Sequence, residues 1–85
     1  MQFLHSEFEG GPESLVTVEL DHVANVLLMD STNFSNYKAG RAFRYFGGSA
    51  HQSPCRLRPP HHGRWHVAVD LGGRAGSVRA RIHVS

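Results

Sequence analysis

The last third of the chain constrains the fold most, through strict alternation. From Arg64 to Asp70, Trp65, Val67 and Val69 fall on one side of an extended strand, with Arg64, His66, Ala68 and Asp70 on the other. From Ser77 to Val84 the pattern recurs, with Val78, Ala80, Ile82 and Val84 against Ser77, Arg79, Arg81 and His83. A period of two belongs to half-buried β-strands and not to helices. The glycine-rich segment Leu71–Gly76 joins the two runs, so they read as a closing hairpin. In it Val69 faces Val78, Val67 faces Ala80 and Trp65 faces Ile82. The same register sets Arg64 opposite His83, His66 opposite Arg81 and Ala68 opposite Arg79. Like charges facing each other destabilise a sheet, so this outer face calls for acidic side chains from elsewhere or an external anion.

The remaining segments are also of strand length between turn signals, an all-β pattern. Gln2–Phe8 leads to a turn at Glu9–Glu13, where Gly10-Gly11-Pro12 breaks any ladder. Ser14–Leu20 alternates, and a turn at Asp21-His22 precedes Ala24–Met29. The continuous Val26-Leu27-Leu28-Met29 run predicts a strand buried on both faces. Asp30–Gly40 offers N-cap residues at its start and a glycine at its end. It reads as a loop with at most one short helical turn, pinned by Phe34 and Tyr37, with Asn25, Asp30, Asn33 and Asn36 bracing irregular backbone. Arg41–Phe46 is extended, with Phe43 and Tyr45 facing the core, and Gly47-Gly48 opens a polar loop to Ser53. Pro54–Arg58 is a short strand with Cys55 and Leu57 inward and Arg56 and Arg58 outward. The expected fold is all-β: a small antiparallel β-sandwich or barrel of about six to seven strands, one domain over residues 1–85.

Charge is distributed unevenly. Residues 1–40 hold Lys38 against Glu7, Glu9, Glu13, Glu19, Asp21 and Asp30, whereas residues 41–85 hold eight arginines against Asp70. Either the two halves pair within the fold, or a basic face is left for an anionic partner. The candidate anion-binding residues are Arg56, Arg58, Arg64, His66, Arg79, Arg81 and His83. Such a face suits phosphates, while base stacking needs exposed aromatics, and Trp65 points to the core.

Catalytic sets are hard to assemble from spacing. His66 and Asp70 lie four residues apart on one strand face, about 13 Å, too far for a hydrogen bond. Cys55 faces inward, where a thiol is inert packing, and as the only cysteine it excludes an internal disulfide, in keeping with a cytoplasmic location. For the histidine group His61, His62, His66 and His83, Cys55 and Asp70 are poorly placed to join as further ligands, and nearby arginines repel a cation. No catalytic residue, cofactor or metal is therefore assigned. No apolar run approaches the length of a membrane span.

The blocks Phe3-Leu4-His5, Ala24-Asn25-Val26, Leu28-Met29-Asp30, Asn33-Phe34, Tyr37, Gly40, Tyr45, Gly47-Gly48, Pro54, Trp65-His66-Val67 and Val69-Asp70-Leu71-Gly72-Gly73 resemble a bacterial domain-of-unknown-function family, the one numbered 1883. The resemblance covers nearly the whole chain. It implies a small β-rich domain that occurs alone or ahead of other domains, TIR-type signalling domains among them, and it supplies no catalytic residues. Two function classes follow. The first is a non-catalytic interaction or sensing module that binds a protein partner or self-associates. The alternative is an anion or nucleic-acid binder working through Arg64, Arg79 and Arg81.

Overall fold

The computed structural model describes residues 3–72 and 76–85. Gln2 of the first expected strand and residues 73–75 of the expected hairpin loop lie outside them. The elements are β1 (Leu4–Gly10), β2 (Val16–Leu20), β3 (Ala24–Asp30), α1 (Ser31–Lys38), β4 (Phe46–Ala50), β5 (Cys55–Leu57), β6 (Gly63–Asp70) and β7 (Ala80–Val84). They form two antiparallel sheets, a four-stranded one in the order β1-β6-β3-β4 and a three-stranded one in the order β5-β2-β7. The arrangement is a sandwich rather than a barrel, with α1 laid on the outer face of the larger sheet.

Two apolar layers explain the stacking. Val16 and Val18 of the small sheet meet Ala24, Val26, Leu28, Trp65, Val67 and Val69 of the large one. On the other side of the large sheet, Leu27, Met29 and Ala68 meet Phe34 and Tyr37 from α1. The Val26–Met29 run is thus buried on both faces, as its continuous hydrophobicity predicts. Trp65 combines a buried ring with a satisfied N–H, donated to the His61 carbonyl at 3.0 Å.

The closing hairpin is corrected. β6 pairs with β1 and β3 at the centre of the large sheet, whereas β7 pairs with β2 in the small one. The apolar sides of the two strands do meet, but across the sandwich interior instead of side by side. The nine residues between the strands exceed the two to five of tight hairpins, which gives the chain room to change sheets. The charge clashes of the expected register therefore do not arise. The large sheet instead matches Arg64 to Glu9 at 2.9 Å and to Glu7 at 3.4 Å, drawing on the acidic N-terminal strand.

Two further segments differ from expectation. α1 runs for eight residues, about two turns, and exceeds the single turn expected. The strand expected at Arg41–Phe46 lies further on: residues 41–45 form none, and β4 takes in Phe46 and the start of the expected polar loop, paired with β3. Gly47 permits it: its φ is +108°, and a Cβ there would lie 2.2 Å from the Val26 carbonyl oxygen. Only glycine lets the two backbones approach so closely.

Candidate functional site

The helix-bearing face of the large sheet gathers the unusual polar groups. Asp30 ends β3 and caps α1: its Oδ1 accepts the Asn33 backbone N–H at 2.8 Å and the Asn33 side-chain amide at 2.9 Å. Asn33 Oδ1 in turn accepts the Arg44 N–H at 2.8 Å, which ties the following loop to the helix. These bonds bear out the bracing role read for Asp30 and Asn33, whereas Asn25 donates to the Asp70 carboxylate instead of to backbone. Spacing of three residues turns Phe34 and Tyr37 down onto the sheet.

At the C-terminal end of α1, Asp70 is buried, 4 % exposed, and fully served. Its Oδ1 accepts Asn25 Nδ2 at 2.9 Å and the Gly72 N–H at 2.8 Å, and its Oδ2 accepts the Tyr37 hydroxyl. Burial first, and then this bond to the carboxylate, push the Tyr37 phenol well above its usual value. Tyr37 therefore acts as a fixed neutral donor. Beside it opens a cleft of about 600 Å³, whose lining includes Asn25, Tyr37, Arg41, Phe43, Tyr45 and Asp70. Its aromatic rings form a stair. Tyr37 and Phe43 meet edge to face at 5.1 Å, and Phe43 and Tyr45 are tilted at 5.5 Å. Tyr45 is 47 % exposed, so the expectation that it faces the core is corrected; Phe43 is half-buried against the helix layer. The wall at Gly48 has φ +137° and nothing within 4 Å of a Cβ position, so the cleft is open there.

At the N-terminal end of α1, His66 Nδ1 lies 3.0 Å from His5 Nε2 and His66 Nε2 lies 2.9 Å from Ser31 Oγ. The Phe34 ring stacks on both imidazoles, at 4.2 Å from His5 and 4.5 Å from His66. Alternation puts His66 on an exposed basic face. It is 5 % exposed instead, because α1 and β1 cover it. Desolvation, and then the neighbouring His5, hold its pKa below the usual imidazole value; His5 is lowered as well, mainly by desolvation. Glu7 acts in the opposite sense on both rings, while Lys38 lowers both and Arg64 lowers His66.

Lowered imidazole pKa values make stability pH-dependent. The unfolded chain takes up protons near pH 6.5, before the folded chain does. The full contribution is present above about pH 6.5 and is lost as pH falls through the lowered folded values. Urea midpoints measured from pH 7.5 to 5 should therefore fall on acidification, and less steeply in His5→Gln. A flat profile would mean that both rings titrate as in water.

The other candidate anion-binding residues separate from His66 and Arg64. Arg56, Arg58, Arg79, Arg81 and His83 belong to the small sheet and its flanks, all exposed. Arg56, Thr17 and His83 stand in one row across the three strands, and Arg81 faces Glu19. Arg58 reaches the Pro12 carbonyl at 3.2 Å, and the Arg79 backbone N–H reaches Asp21 at 2.8 Å. His61 and His62 sit apart from His66; His62 lies 3.3 Å from Glu13. Among the described residues no three His, Cys, Asp or Glu side chains come together as a metal site. None of the described helices is long and apolar enough to cross a membrane.

Residues 1–85 match the family model described as "Domain of unknown function (DUF1883)". No curated protein and no solved structure matches the chain.

Proposed function

This chain belongs to the DUF1883 family, a domain of unknown function, and on that premise we propose that it is a binding module of the interaction or sensing kind, with its ligand seat in the cleft beside α1. The carrying observation is the aromatic stair that climbs from buried Tyr37 through half-buried Phe43 to exposed Tyr45, lining one cleft with Arg41. Aromatic walls with a few fixed polar groups are what small-ligand sites are made of. The Asp70 carboxylate spends its acceptors on three donors of the protein itself, so the free charge at the cleft is the exposed Arg41 guanidinium. That combination suits a planar ring carrying an anionic group, the ring on Tyr45 and Phe43 and the anion on Arg41. The test is chemical-shift mapping with aromatic carboxylates and nucleoside monophosphates. The expected shifts centre on Phe43, Tyr45 and Gly48, and Tyr45→Ala should weaken binding roughly tenfold. Shifts confined to the small sheet, or none at millimolar ligand, would end this reading.

A second reading rests on the row Arg56–Thr17–His83. Among the described residues, no carboxylate forms an ion pair with Arg56, Arg58, Arg79 or Arg81. Such a face, bare of exposed aromatics, suits the phosphates of duplex nucleic acid better than unstacked bases. Fluorescence anisotropy with duplex oligonucleotides should then show binding that weakens steeply with salt and is lost in Arg56→Ala/Arg81→Ala. Binding that survives this double change would reject the face.

A further inference from the structure

We propose that Ser31, His66 and His5 form an acyl-transfer site at the β3–α1 junction, giving the domain a slow esterase activity beyond ligand binding. Three elements assemble it. β3 ends at Asp30, and Ser31 is the first residue of α1, so the hydroxyl stands on a sharp strand-to-helix turn. Ser31 Oγ lies 2.9 Å from His66 Nε2, within reach for proton transfer, and His66 Nδ1 lies 3.0 Å from His5 Nε2.

The roles follow from the hydrogen-bond chain. In the tautomer with Ser31 Oγ–H donating to His66 Nε2, His66 Nδ1–H donates to His5 Nε2. His5 is then the positioning residue and His66 the general base. Phe34 stacks on both rings and fixes their planes. The Glu7 carboxylate lies 3.9 Å from His66 Nε2 and favours the imidazolium once a proton arrives. Ser31 is exposed to solvent while His66 is buried, so an acyl group meets the hydroxyl first.

The oxygen that gains charge also has a donor nearby. The first N–H groups of a helix lack carbonyl partners one turn back. Asp30 takes that of Asn33, and the Thr32 N–H, on the residue after the nucleophile, is the donor this mechanism assigns to the developing oxyanion.

In the first step Ser31 Oγ bonds to the ester carbonyl carbon as its proton passes to His66 Nε2. Collapse breaks the bond to the leaving alcohol, which takes the proton from His66 and departs. In the second step water attacks the acyl-Ser31 ester, His66 accepts its proton, and Ser31 recovers it as the carboxylic acid leaves. No oxidant, metal or cofactor enters the balance.

The experiment uses p-nitrophenyl acetate and a fluorophosphonate probe with the whole chain. The expected result is a p-nitrophenolate burst, a single adduct mapped to Ser31 by mass spectrometry, and a pre-steady-state rate that falls roughly 10²-fold or more in Ser31→Ala. Ser31→Ala touches an exposed position, and circular dichroism checks that it folds. His5→Gln should shift the pH profile of acylation, a readout that loosened packing alone does not move. Adducts on His5, on Tyr45 or nowhere, or a burst that survives in Ser31→Ala, would overturn the proposal. Ligand binding in the cleft is read separately, so either idea can fail alone.

Discussion

Asp70→Ala should lower the unfolding free energy by about 3 kcal/mol or more, because it strands three donors at once. The Tyr37 hydroxyl, the Asn25 amide and the Gly72 N–H all end on this one carboxylate. An unpaired buried polar group costs about 1–3 kcal/mol, and the loss of any one of these three is felt by the others through shared packing. Asp70→Asn keeps the volume and one acceptor oxygen, so its loss should be smaller. Urea unfolding of both variants separates the cases. A loss below about 1 kcal/mol in the alanine variant would mean that water takes over the donors. The cleft should respond too, since Tyr37 is one of its walls. Ligand shifts at Phe43 and Tyr45 should weaken even where the variant remains folded.

Trp65→Ala carries the other large effect, about 3–5 kcal/mol. Trp65 is 2 % exposed at the centre of the inter-sheet core, between β1 and β3. A domain of this size has a total stability of about 5–10 kcal/mol, so the variant should be substantially unfolded at 37 °C by circular dichroism. Trp65→Phe retains most of the ring volume and gives up the bond to the His61 carbonyl. Its loss should be smaller, and a result equal to the alanine variant would place the hydrogen bond ahead of packing.

The fold was legible wherever one residue pattern had one physical cause. The Val26–Met29 run demanded burial on two faces and obtained it between the small sheet and α1. β6 was harder. Its His66, Ala68 and Asp70 resemble a solvent face by alternation, yet all three are buried. A period of two cannot distinguish water from a hydrogen-bonded partner, and here the partners come from distant segments. His66 is answered by His5 and Ser31, and Asp70 by Asn25 and Tyr37. For the same reason the Ser31–His66–His5 chain leaves no local signal: its members lie 26 to 61 residues apart in sequence, and spacing within one strand relates His66 only to its own neighbours. The signal that was available is the Asp30 cap followed at once by a serine, which marks a strand-to-helix junction with a hydroxyl on it. β4 was misread because glycines normally weaken strands, and the close backbone approach that requires Gly47 leaves no trace in hydropathy.

The strand order also governs when this chain can become a protein. Val16 pairs with Val84, Leu4 pairs with Val69, and the backbones of Leu15 and Ser85 bond to each other at 2.9 and 3.0 Å. On an elongating ribosome the first two strands emerge with no neighbour to complete their ladders. They wait exposed until their partners β5, β6 and β7, all from the second half of this sequence, have been made. Folding must then close its longest loops before it gains its best contacts, which is the slow order of events. The acidic residues of that early segment, Glu7, Glu9 and Glu19, keep it charged during the interval in which a neutral strand would find the wrong partner.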